Sequence, residues 1–375
     1  MGILIRALRI PNDVIKFIKA QWQFYANDPF WVPPLLIEQK KLLDTKRNPF
    51  YEHAEIQLYF AERDGQVVGR IAAITNELHN QIHNDNVGFF GFFESIDDPE
   101  VAQALVDAAK NWLSQKGKDR IRGPVNPSMN DTCGLLVEDF SSPPVVLMPY
   151  NPPYYGKLLE AAGLAKVMDL YAYLLEKDRV FNDRLERYQQ IIRQRYQVTV
   201  RPMNFRNKKQ FWQDVALIEH IYNRAWEPNW GFVKLTEAEF HALARDLKQI
   251  ADPDLVLIAE SKGKLCGCVI ALPNINEALI YNRSGHLLPG IWHLLTKKKH
   301  ITMVRILILG LLPEFQGKGI DAVLYYEIAR RGVEKGYTKA EASWVLENNA
   351  PMNLALEKTL QARRYKTYRM YEAAI

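Results

Sequence analysis

A glycine-containing loop between an apolar run and an amphipathic segment is the feature of this chain most suited to chemistry. Residues 306–312 predict a buried strand, Gly317 and Gly319 lie in the loop that follows, and residues 321–335 repeat apolar side chains at helical spacing. Glycines let a backbone approach a ligand closely and direct its N–H groups inward, towards the positive end of the next helix. The pattern therefore predicts an anion site of the kind that holds phosphate.

The loop lacks the signatures of the common nucleotide-binding loops. It has no Gly-Lys-Ser/Thr ending, and it lacks the three-glycine spacing of a dinucleotide fingerprint. A short Gly-x-Gly segment also occurs in ordinary strand-to-helix turns, and that alternative stays open.

The loop resembles the pyrophosphate loop of the GNAT acyltransferases, whose pattern is Gln/Arg-x-x-Gly-x-Gly/Ala at the start of a helix. Gln316 and Gly319 match, whereas Asp321 departs and would repel a pyrophosphate if it pointed into the loop. The resemblance implies that acetyl-CoA or a longer acyl-CoA is the cofactor. The residues expected to hold it are Leu311, Leu312, Gln316, Gly317, Lys318, Gly319, Ile320, Asp321 and Asn349.

Gly310 lies inside the predicted strand that precedes the loop. An interior glycine indicates a bulge or a close approach of another group. By the same resemblance, this strand would bulge and part from its neighbour, and the amide of Leu311 could polarise the thioester carbonyl. A glycine simply tolerated in a buried strand is the alternative.

The chain contains an internal repeat. Residues 61–69 and 259–267 align without a gap as two hairpins, and the match continues to Ala73 with Ala271 and to Asn76 with Asn274. The predicted helices and strands around each hairpin follow the same order, with a boundary near Arg179. We therefore expect domains at residues 1–178 and 179–375.

The order of elements predicts an α/β (α+β) fold of two tandem GNAT-like domains, each a mixed twisted sheet flanked by helices. The first half has Ser-Ile-Asp-Asp at residues 95–98 where a phosphate loop would stand. Two acids without a glycine make a poor anion site. The first domain is therefore expected to lack the cofactor loop.

Candidate catalytic groups follow from acyl transfer to an amine, which needs a base for the amine and an acid for the leaving thiolate. Leu360 falls at the position where the resembled family has its tyrosine acid. Glu347, which closes a predicted strand together with Asn349, could act as base, and Tyr281 could replace the acid. Capping of the next helix and a half-buried structural tyrosine are the respective alternatives.

Candidate acceptor contacts lie in the first half. A polar, proline-rich segment contains Asn126 and Asn130 and leads to Tyr154, and Glu94 follows a run rich in phenylalanine. Polar loops fixed by prolines often hold ligands, although the same residues also form plain turns. Glu94 could reach the groove between the halves or end a strand in solvent.

Composition favours a globular chain of 375 residues, with 48% hydrophobic and 24% charged residues. No apolar run reaches the length of a membrane span and no signal peptide is evident, so a cytoplasmic location is expected. The net charge of +5 has one dense basic run at residues 297–300, interpreted as a solvated helix end, and nucleic-acid binding is not expected. Three cysteines predict neither a disulfide nor a metal site.

These observations predict an acyltransferase that moves an acyl group from acyl-CoA to an amine of a small-molecule or peptide acceptor. The rival hypothesis is a non-catalytic binding protein that kept the scaffold, motivated by Asp321, Leu360 and the degenerate first half. Acceptor identity, acyl length and oligomeric state do not follow from the sequence.

Overall fold

A computed structural model describes residues 2–375. Its strands are β1 (Leu4–Ala7), β2 (Ala54–Arg63), β3 (Gln66–Asn76), β4 (Val87–Ser95), β5 (Arg120–Gly123), β6 (Val125–Asn126), β7 (Thr132–Cys133), β8 (Leu135–Glu138), β9 (Ala165–Glu176), β10 (Val198–Pro202), β11 (Val256–Ser261), β12 (Lys264–Pro273), β13 (Met303–Leu311), β14 (Lys339–Leu346) and β15 (Arg363–Ala374).

The helices are α1 (Val14–Lys19), α2 (Gln21–Phe24), α3 (Leu36–Leu42), α4 (Glu77–His83), α5 (Pro99–Gln115), α6 (Tyr155–Ala161), α7 (Lys177–Val180), α8 (Asp183–Tyr196), α9 (Lys208–Ala225), α10 (Glu237–Leu247), α11 (Asn276–Leu279), α12 (Leu287–Lys297), α13 (Ile320–Glu334) and α14 (Ala350–Leu354). A π-helix, Ala355–Thr359, continues α14. Within residues 2–375, no helix is both long and apolar enough to cross a bilayer.

Two compact units make up the chain. The first contains the residues up to Leu170 together with Ala278–Thr296 and Lys366–Ile375, and the second contains Tyr171–Glu277 and Lys297–Tyr365. Strands β9 and β15 each begin in one unit and end in the other. The boundary at residues 178 and 179 therefore stays a prediction about the duplicated halves, because the compact units interleave the chain.

The first unit has its strands in the order β1-β2-β3-β4-β5-β15, and β8 also pairs with β15. Neighbours are antiparallel except β4 and β5, which run parallel from Val87 opposite Arg120 to Phe89 opposite Arg122. Helix α5 packs its apolar face on this sheet, because Val101, Leu105 and Ala109 recur at helical spacing and are fully buried.

The second unit repeats this plan, with β9-β14-β13-β12-β11-β10 as its strand order. Strands β13 and β14 are its parallel pair. Helix α13 buries Ile320, Val323 and Leu324 against the sheet, in the position that α5 has in the first unit. The predicted α/β fold of two tandem domains, each a mixed sheet with helices, is confirmed.

The two aligned hairpins share their backbone details. Asp64 and Gly65 have φ values of 54° and 77°, and Lys262 and Gly263 have values of 51° and 73°, so both turns have two residues of positive φ. The pairing register shifts after Ala61 in one hairpin and after the aligned Ala259 in the other. A turn and a bulge repeated at matched positions support the duplication.

Candidate functional site

The gap that could admit a ligand in the second unit opens between β13 and β14. The parallel pairing starts at Met303 opposite Lys339 and ends at Ile306 opposite Ala342, although both strands continue beyond these residues. The expected parting of the strand from its neighbour is therefore present.

The antiparallel ladder on the other side of β13 fixes the direction of its amides. Leu312 donates its N–H to the carbonyl of Cys266 at 2.9 Å, so the neighbouring pair of Leu311 and Gly267 is a non-hydrogen-bonded pair. The backbone N–H of Leu311, and by the same alternation that of Leu309, consequently points towards β14. This direction suits the role predicted for the Leu311 amide.

The bulge of β13 lies at Leu307 and not at Gly310. Ile270 faces Ile308 while Ala271 faces Ile306, which leaves Leu307 as the extra residue. Gly310 pairs regularly with Cys268, and a Cβ there would overlap the indole ring of Trp226. Gly310 therefore serves the close approach of α9, the second of the two explanations that its position in the strand suggested.

The loop offers fewer free amides than the sequence pattern indicated. Leu312 donates to Cys266, Phe315 donates to the carbonyl of Leu312 at 2.8 Å, and Gln316 donates to that of Pro313 at 3.3 Å. Within residues 2–375, no acceptor meets the amides of residues 317–320. Leu312 and Gln316 were expected to hold the cofactor, but their amides donate within the protein. The amides of residues 317–320 are left for that role, and we call this group of four the cradle.

Side chains shape this cradle from two sides. The side chain of Gln316 donates to the carbonyl of Leu311 at 3.1 Å, and the Lys318 ammonium donates to that of Glu314 at 2.6 Å. Gly317 has a φ of 71° and open space around it. A Cβ at Gly319 would overlap the hydroxyl of Tyr188, a tyrosine of α8 that the sequence pattern did not single out.

Asp321 lies in the first turn of α13, next to the cradle. Burial raises the pKa of this carboxyl. The amide of Ala322 donates to the carbonyl of Gly319 at 3.1 Å. A negative charge in this first turn would repel an anion bound close to it. The repulsion of a pyrophosphate by Asp321 stays a prediction.

Two buried tyrosines stand in the second unit, where Leu360 itself is buried and carries no acid. Tyr325 of α13 donates its hydroxyl to the sulfur of Met352 at 3.0 Å, and burial and Asp321 raise its pKa. The Tyr173 hydroxyl lies 2.9 Å from Asn353 Oδ1 and 3.0 Å from Glu357 Oε1. Both were missed in the sequence, since one belongs to a strand outside the matched motif and the other to the middle of a helix.

The residues after β14 cap the next helix. The Asn349 side chain accepts a hydrogen bond from the amide of Met352 at 3.3 Å, as an N-cap does. Asn353 donates to the carbonyl of Glu347 at 3.3 Å. The capping alternative holds for Asn349, while Glu347 is a partly buried carboxylate at the carboxyl end of β14.

A buried polar cluster joins β13 and β14 just before they part. Arg305 Nε lies 3.1 Å from Ser343 Oγ, which in turn lies 2.6 Å from Glu341 Oε1, and the Tyr365 hydroxyl donates to the other oxygen of Glu341. Arg305 and Glu341 are 1% and 0% exposed. A buried hydrogen-bonded cluster that joins residues of both strands through Ser343 holds the strands together at the base of the gap.

Tyr281 belongs to the first unit and not to the second. Its side chain is 55% exposed, so the half-buried structural tyrosine considered from the sequence is not observed. It lines a cavity of about 420 Å³ together with Asp28 and Arg283.

Glu94 is buried and hydrogen-bonded within the first unit. It is 3% exposed, which is not the solvated strand end considered from the sequence. The hydroxyls of Tyr25 and Tyr155 both donate to Oε2 at 2.8 Å, and Gln21 and Arg70 donate to Oε1. Burial raises the pKa of this carboxyl, an effect that Arg70 opposes. These bonds tie β4 to α2 and α6.

The chain itself fills the gap where β4 and β5 part. Asn126 Oδ1 accepts a hydrogen bond from the amide of Phe92 at 2.6 Å, and a Cβ at Gly91 would overlap the carbonyl of Val125. Strand β6 thus occupies the place that corresponds to the open gap of the second unit. This observation adds a steric reason to the prediction that the first domain does not bind the cofactor.

The other two predicted acceptor contacts are also tied into the first unit. The backbone of Asn130 donates to Ser128 Oγ at 3.2 Å. The Tyr154 hydroxyl donates to the carbonyl of Ser95 at 2.9 Å, and burial raises its pKa to about 12. An acceptor role for Asn126, Asn130, Tyr154 or Glu94 stays a prediction.

Comparison with solved structures supports the class that this geometry suggests. The chain aligns over 100% of its length, at 12% identity and a TM-score of 0.56, with 98% of a tandem GNAT protein from the clavulanic acid biosynthesis pathway. A GCN5-related N-acetyltransferase from Sphaerobacter thermophilus aligns with 99% of the chain, over 95% of its own length, at 13% identity and a TM-score of 0.52. The protein therefore has the tandem fold of the GNAT superfamily.

Sequence comparison identifies the family within that class. The chain is 36% identical to Protein YghO of Escherichia coli K12 over 99% of the chain and 95% of that protein. It is 37% identical to Bacterial ceramide synthase of Caulobacter vibrioides over 98% of the chain and 96% of that protein. The chain belongs to the family of these two proteins. No established family profile matches it.

Proposed function

We propose that the protein is an acyl-CoA-dependent N-acyltransferase whose second unit binds the cofactor. The observation that carries the proposal is the combination, in one unit, of the parting of β13 and β14 with four unpaired amides at residues 317–320. Gly317 has no Cβ and has open space around it, so a phosphate could approach its backbone closely. The four amides and the α13 N-terminus would hold a diphosphate, and the gap would take the thioester arm.

The residues of the second unit would act on the reacting atoms as follows. Acyl-CoA supplies the acyl group as a reactive thioester. The amide of Leu311 would donate to the thioester carbonyl oxygen, while the acceptor amine forms the new C–N bond and the C–S bond breaks. Glu347 would take the amine proton directly or through water.

Tyr325 is our proposed proton donor to the departing thiolate. A tyrosine hydroxyl is protonated at neutral pH, and the one acceptor that it meets within residues 2–375 is a thioether, which is weak. The Tyr173 hydroxyl is already held by two oxygen acceptors. Tyr281, the donor predicted from the sequence, remains the alternative.

The acceptor we propose is a long-chain amine. A relative with 37% identity over 98% of the chain is named Bacterial ceramide synthase. A ceramide is an amide of a long-chain amino alcohol, so this name favours an amine of that kind. Release of free thiol should be measured over a panel of acyl-CoA chain lengths, with long-chain amino alcohols and short polar amines as acceptors. Turnover restricted to short polar amines would contradict the proposed acceptor while leaving acyl transfer intact.

A non-catalytic binding protein is the second candidate, favoured by the position of Asp321 at the helix N-terminus and by Leu360 in place of a tyrosine. Binding of coenzyme A without thiol release for any donor and acceptor pair would favour it. Product formation, detected by mass spectrometry, would exclude it.

A further inference from the structure

Helix α12 exposes an unusually apolar face. Leu288, Trp292 and Leu295, which are 79%, 66% and 74% exposed, follow the i, i+4, i+7 spacing of one helical stripe. Leu287 and Ile291 flank this stripe and are 40% and 42% exposed. A group of large exposed apolar side chains on one short helix indicates an interaction surface.

The opposite side of the same segment is anchored in the first unit. Gly290 is buried, and a Cβ there would lie 3.0 Å from the side chain of Leu35. Arg283 donates to the carbonyl of Trp31 at 2.8 Å, and the indole of Trp22 donates to the carbonyl of Arg283 at 2.8 Å. The helix is thus held in place with its apolar stripe turned away from its anchor.

The chain segment that follows the stripe is basic. Lys297, Lys298, Lys299 and His300 follow the apolar residues directly, and no acidic residue occurs between Glu277 and Glu314. Lys298, Lys299 and His300 are exposed. Trp and Leu on one face, with lysines beside them, are typical of helices that lie in the headgroup region of an anionic bilayer.

We propose that α12 docks the protein on an anionic lipid surface, with Leu288, Trp292 and Leu295 in the boundary of the acyl chains and residues 297–300 at the headgroups. At 11 residues, the helix is far shorter than the roughly 20 needed to span a bilayer, so it lies in the interface. The occupant we commit to is the membrane, because an apolar stripe beside the exposed Lys298 and Lys299 complements an anionic bilayer. The proposal is independent of the acyl-transfer activity.

Co-sedimentation of the full chain with vesicles of phosphatidylcholine, with and without phosphatidylglycerol, tests the docking. We expect binding to the anionic vesicles that weakens as salt is added. Replacing Leu288, Trp292 and Leu295 together by Gln should lower the partition coefficient roughly a hundredfold. The Gln substitution of Ile191, which is 61% exposed on α8, is the matched control and should change nothing.

The headgroup contribution is tested by a second pair of variants. Replacing Lys298 and Lys299 by Gln should weaken binding to anionic vesicles about tenfold. The matched control replaces the adjacent, exposed Lys208 and Lys209 of α9 by Gln, which should leave binding unchanged. Equal losses in both pairs would mean that net charge alone is responsible and would overturn the docking site.

A fluorescent label on α12 reports whether the helix enters the lipid interface. The native cysteines are buried, so Leu288→Cys can be labelled with an environment-sensitive dye, whose emission should shift to shorter wavelengths only when anionic vesicles are added. Failure of the full chain to sediment, or sedimentation unaffected by the triple Gln variant, would overturn the proposal. A dimer without lipid that the triple variant dissociates would assign the stripe to a second copy and would equally overturn it.

Discussion

Gly317 is the residue at which the loop can be tested with least disturbance, because its φ of 71° and open surroundings mean that a side chain there contacts nothing else. Gly65, in the hairpin of the first unit, has a φ of 77° and equally open surroundings. The two glycines therefore differ in location but not in the backbone strain that a substitution would cause.

We predict that Gly317→Glu weakens coenzyme A binding by at least about tenfold, or ~1.4 kcal/mol, because it places a carboxylate beside the diphosphate. The Gly65→Glu variant should lose about as much free energy of unfolding as Gly317→Glu does. Its affinity for coenzyme A should equal that of the parent protein. Isothermal titration measures the affinity of both variants. If the two variants bind coenzyme A with equal affinity, residues 317–320 do not bind its diphosphate.

Asp321 gives the site a pH dependence. Burial raises the pKa of its carboxyl, and a bound diphosphate would raise it further, since the two negative charges repel each other. Affinity for coenzyme A should therefore rise as the pH falls towards the pKa of Asp321 and the carboxylate is neutralised.

Asp321→Asn should bind coenzyme A several-fold more tightly at neutral pH and show a flatter pH profile than the parent, as measured by titration at several pH values. Asp183→Asn, which removes a first-turn acid from α8, is the control. The same pH profile in the parent and in Asp321→Asn would show that this carboxylate does not face the ligand.

Tyr325→Phe removes the proposed proton donor without changing the ring. We expect kcat to fall by roughly 10²-fold or more, with little change in affinity for coenzyme A. Tyr173→Phe, another buried tyrosine that loses only its hydroxyl, should reduce kcat less. A larger loss for Tyr173→Phe, or for Tyr281→Phe, would reassign the donor.

At the scale of elements, β15 joins the first unit through its second half. Arg369 forms two hydrogen bonds to the Asp169 carboxylate at 2.8 and 3.1 Å, and Lys366 donates to the carbonyls of Ser142 and Pro143. Burial alone would raise the pKa of Asp169, but Arg369 and Lys166 lower it. The C-terminal strand is thus fixed by charge as well as by backbone pairing.

Arg369→Leu should reduce the free energy of unfolding by about 2 kcal/mol at neutral pH, because it leaves Asp169 with a single cation. A carboxylate of lowered pKa stabilises the fold above its unfolded pKa of about 3.9, and this contribution disappears as pH falls through the folded value. The difference in unfolding free energy between the parent and Arg369→Leu should therefore become smaller in acid. Urea unfolding at several pH values measures it. Arg364→Leu, an exposed position on the same strand, should cost less, and an equal or pH-independent loss would contradict the pairing.

The sequence predicted those elements whose residues are close together in the chain. Hydrophobic periodicity, the positions of glycines and the internal repeat predicted the two matched hairpins with their turns. The same signals predicted the strand, loop and helix around Gly317. The interleaving of β15 with the first unit could not be predicted, since it depends on pairing between Tyr371 and Gly123, which are far apart in sequence. A close approach at Gly310 was one of the explanations that the sequence suggested, but its partner could not be predicted, because Trp226 is far from Gly310 in sequence.

The site was predicted less completely than the fold. Gln316 and Gly319 marked the loop, but the amide of Leu312 donates to Cys266 of β12 and that of Gln316 donates to Pro313, and no sequence pattern reports such bonds. Glu94 follows four phenylalanines in a way that suited a groove, whereas the structure surrounds it with tyrosine hydroxyls and an arginine. Buried hydrogen-bond networks depend on residues from several elements, and the sequence does not show which ones meet.

At the scale of the whole molecule, a duplicated fold has kept one open gap and closed the other. In the second unit the parallel strands part beside four unpaired amides, while in the first unit Asn126 bonds to Phe92 and β6 fills the equivalent space. This asymmetry assigns cofactor binding, in our proposal, to one half of a tandem GNAT protein. A helix with an apolar, lysine-flanked face adds a proposed membrane surface, where long-chain amines would be concentrated.

Titration of the full chain with coenzyme A and, separately, with pantetheine tests the central claim most directly, because the two ligands share the thiol arm but only coenzyme A has the diphosphate. We predict that coenzyme A binds much more tightly than pantetheine and that Gly317→Glu removes most of this difference. Equal binding of the two ligands, or no binding of coenzyme A at high protein concentration, would contradict the account.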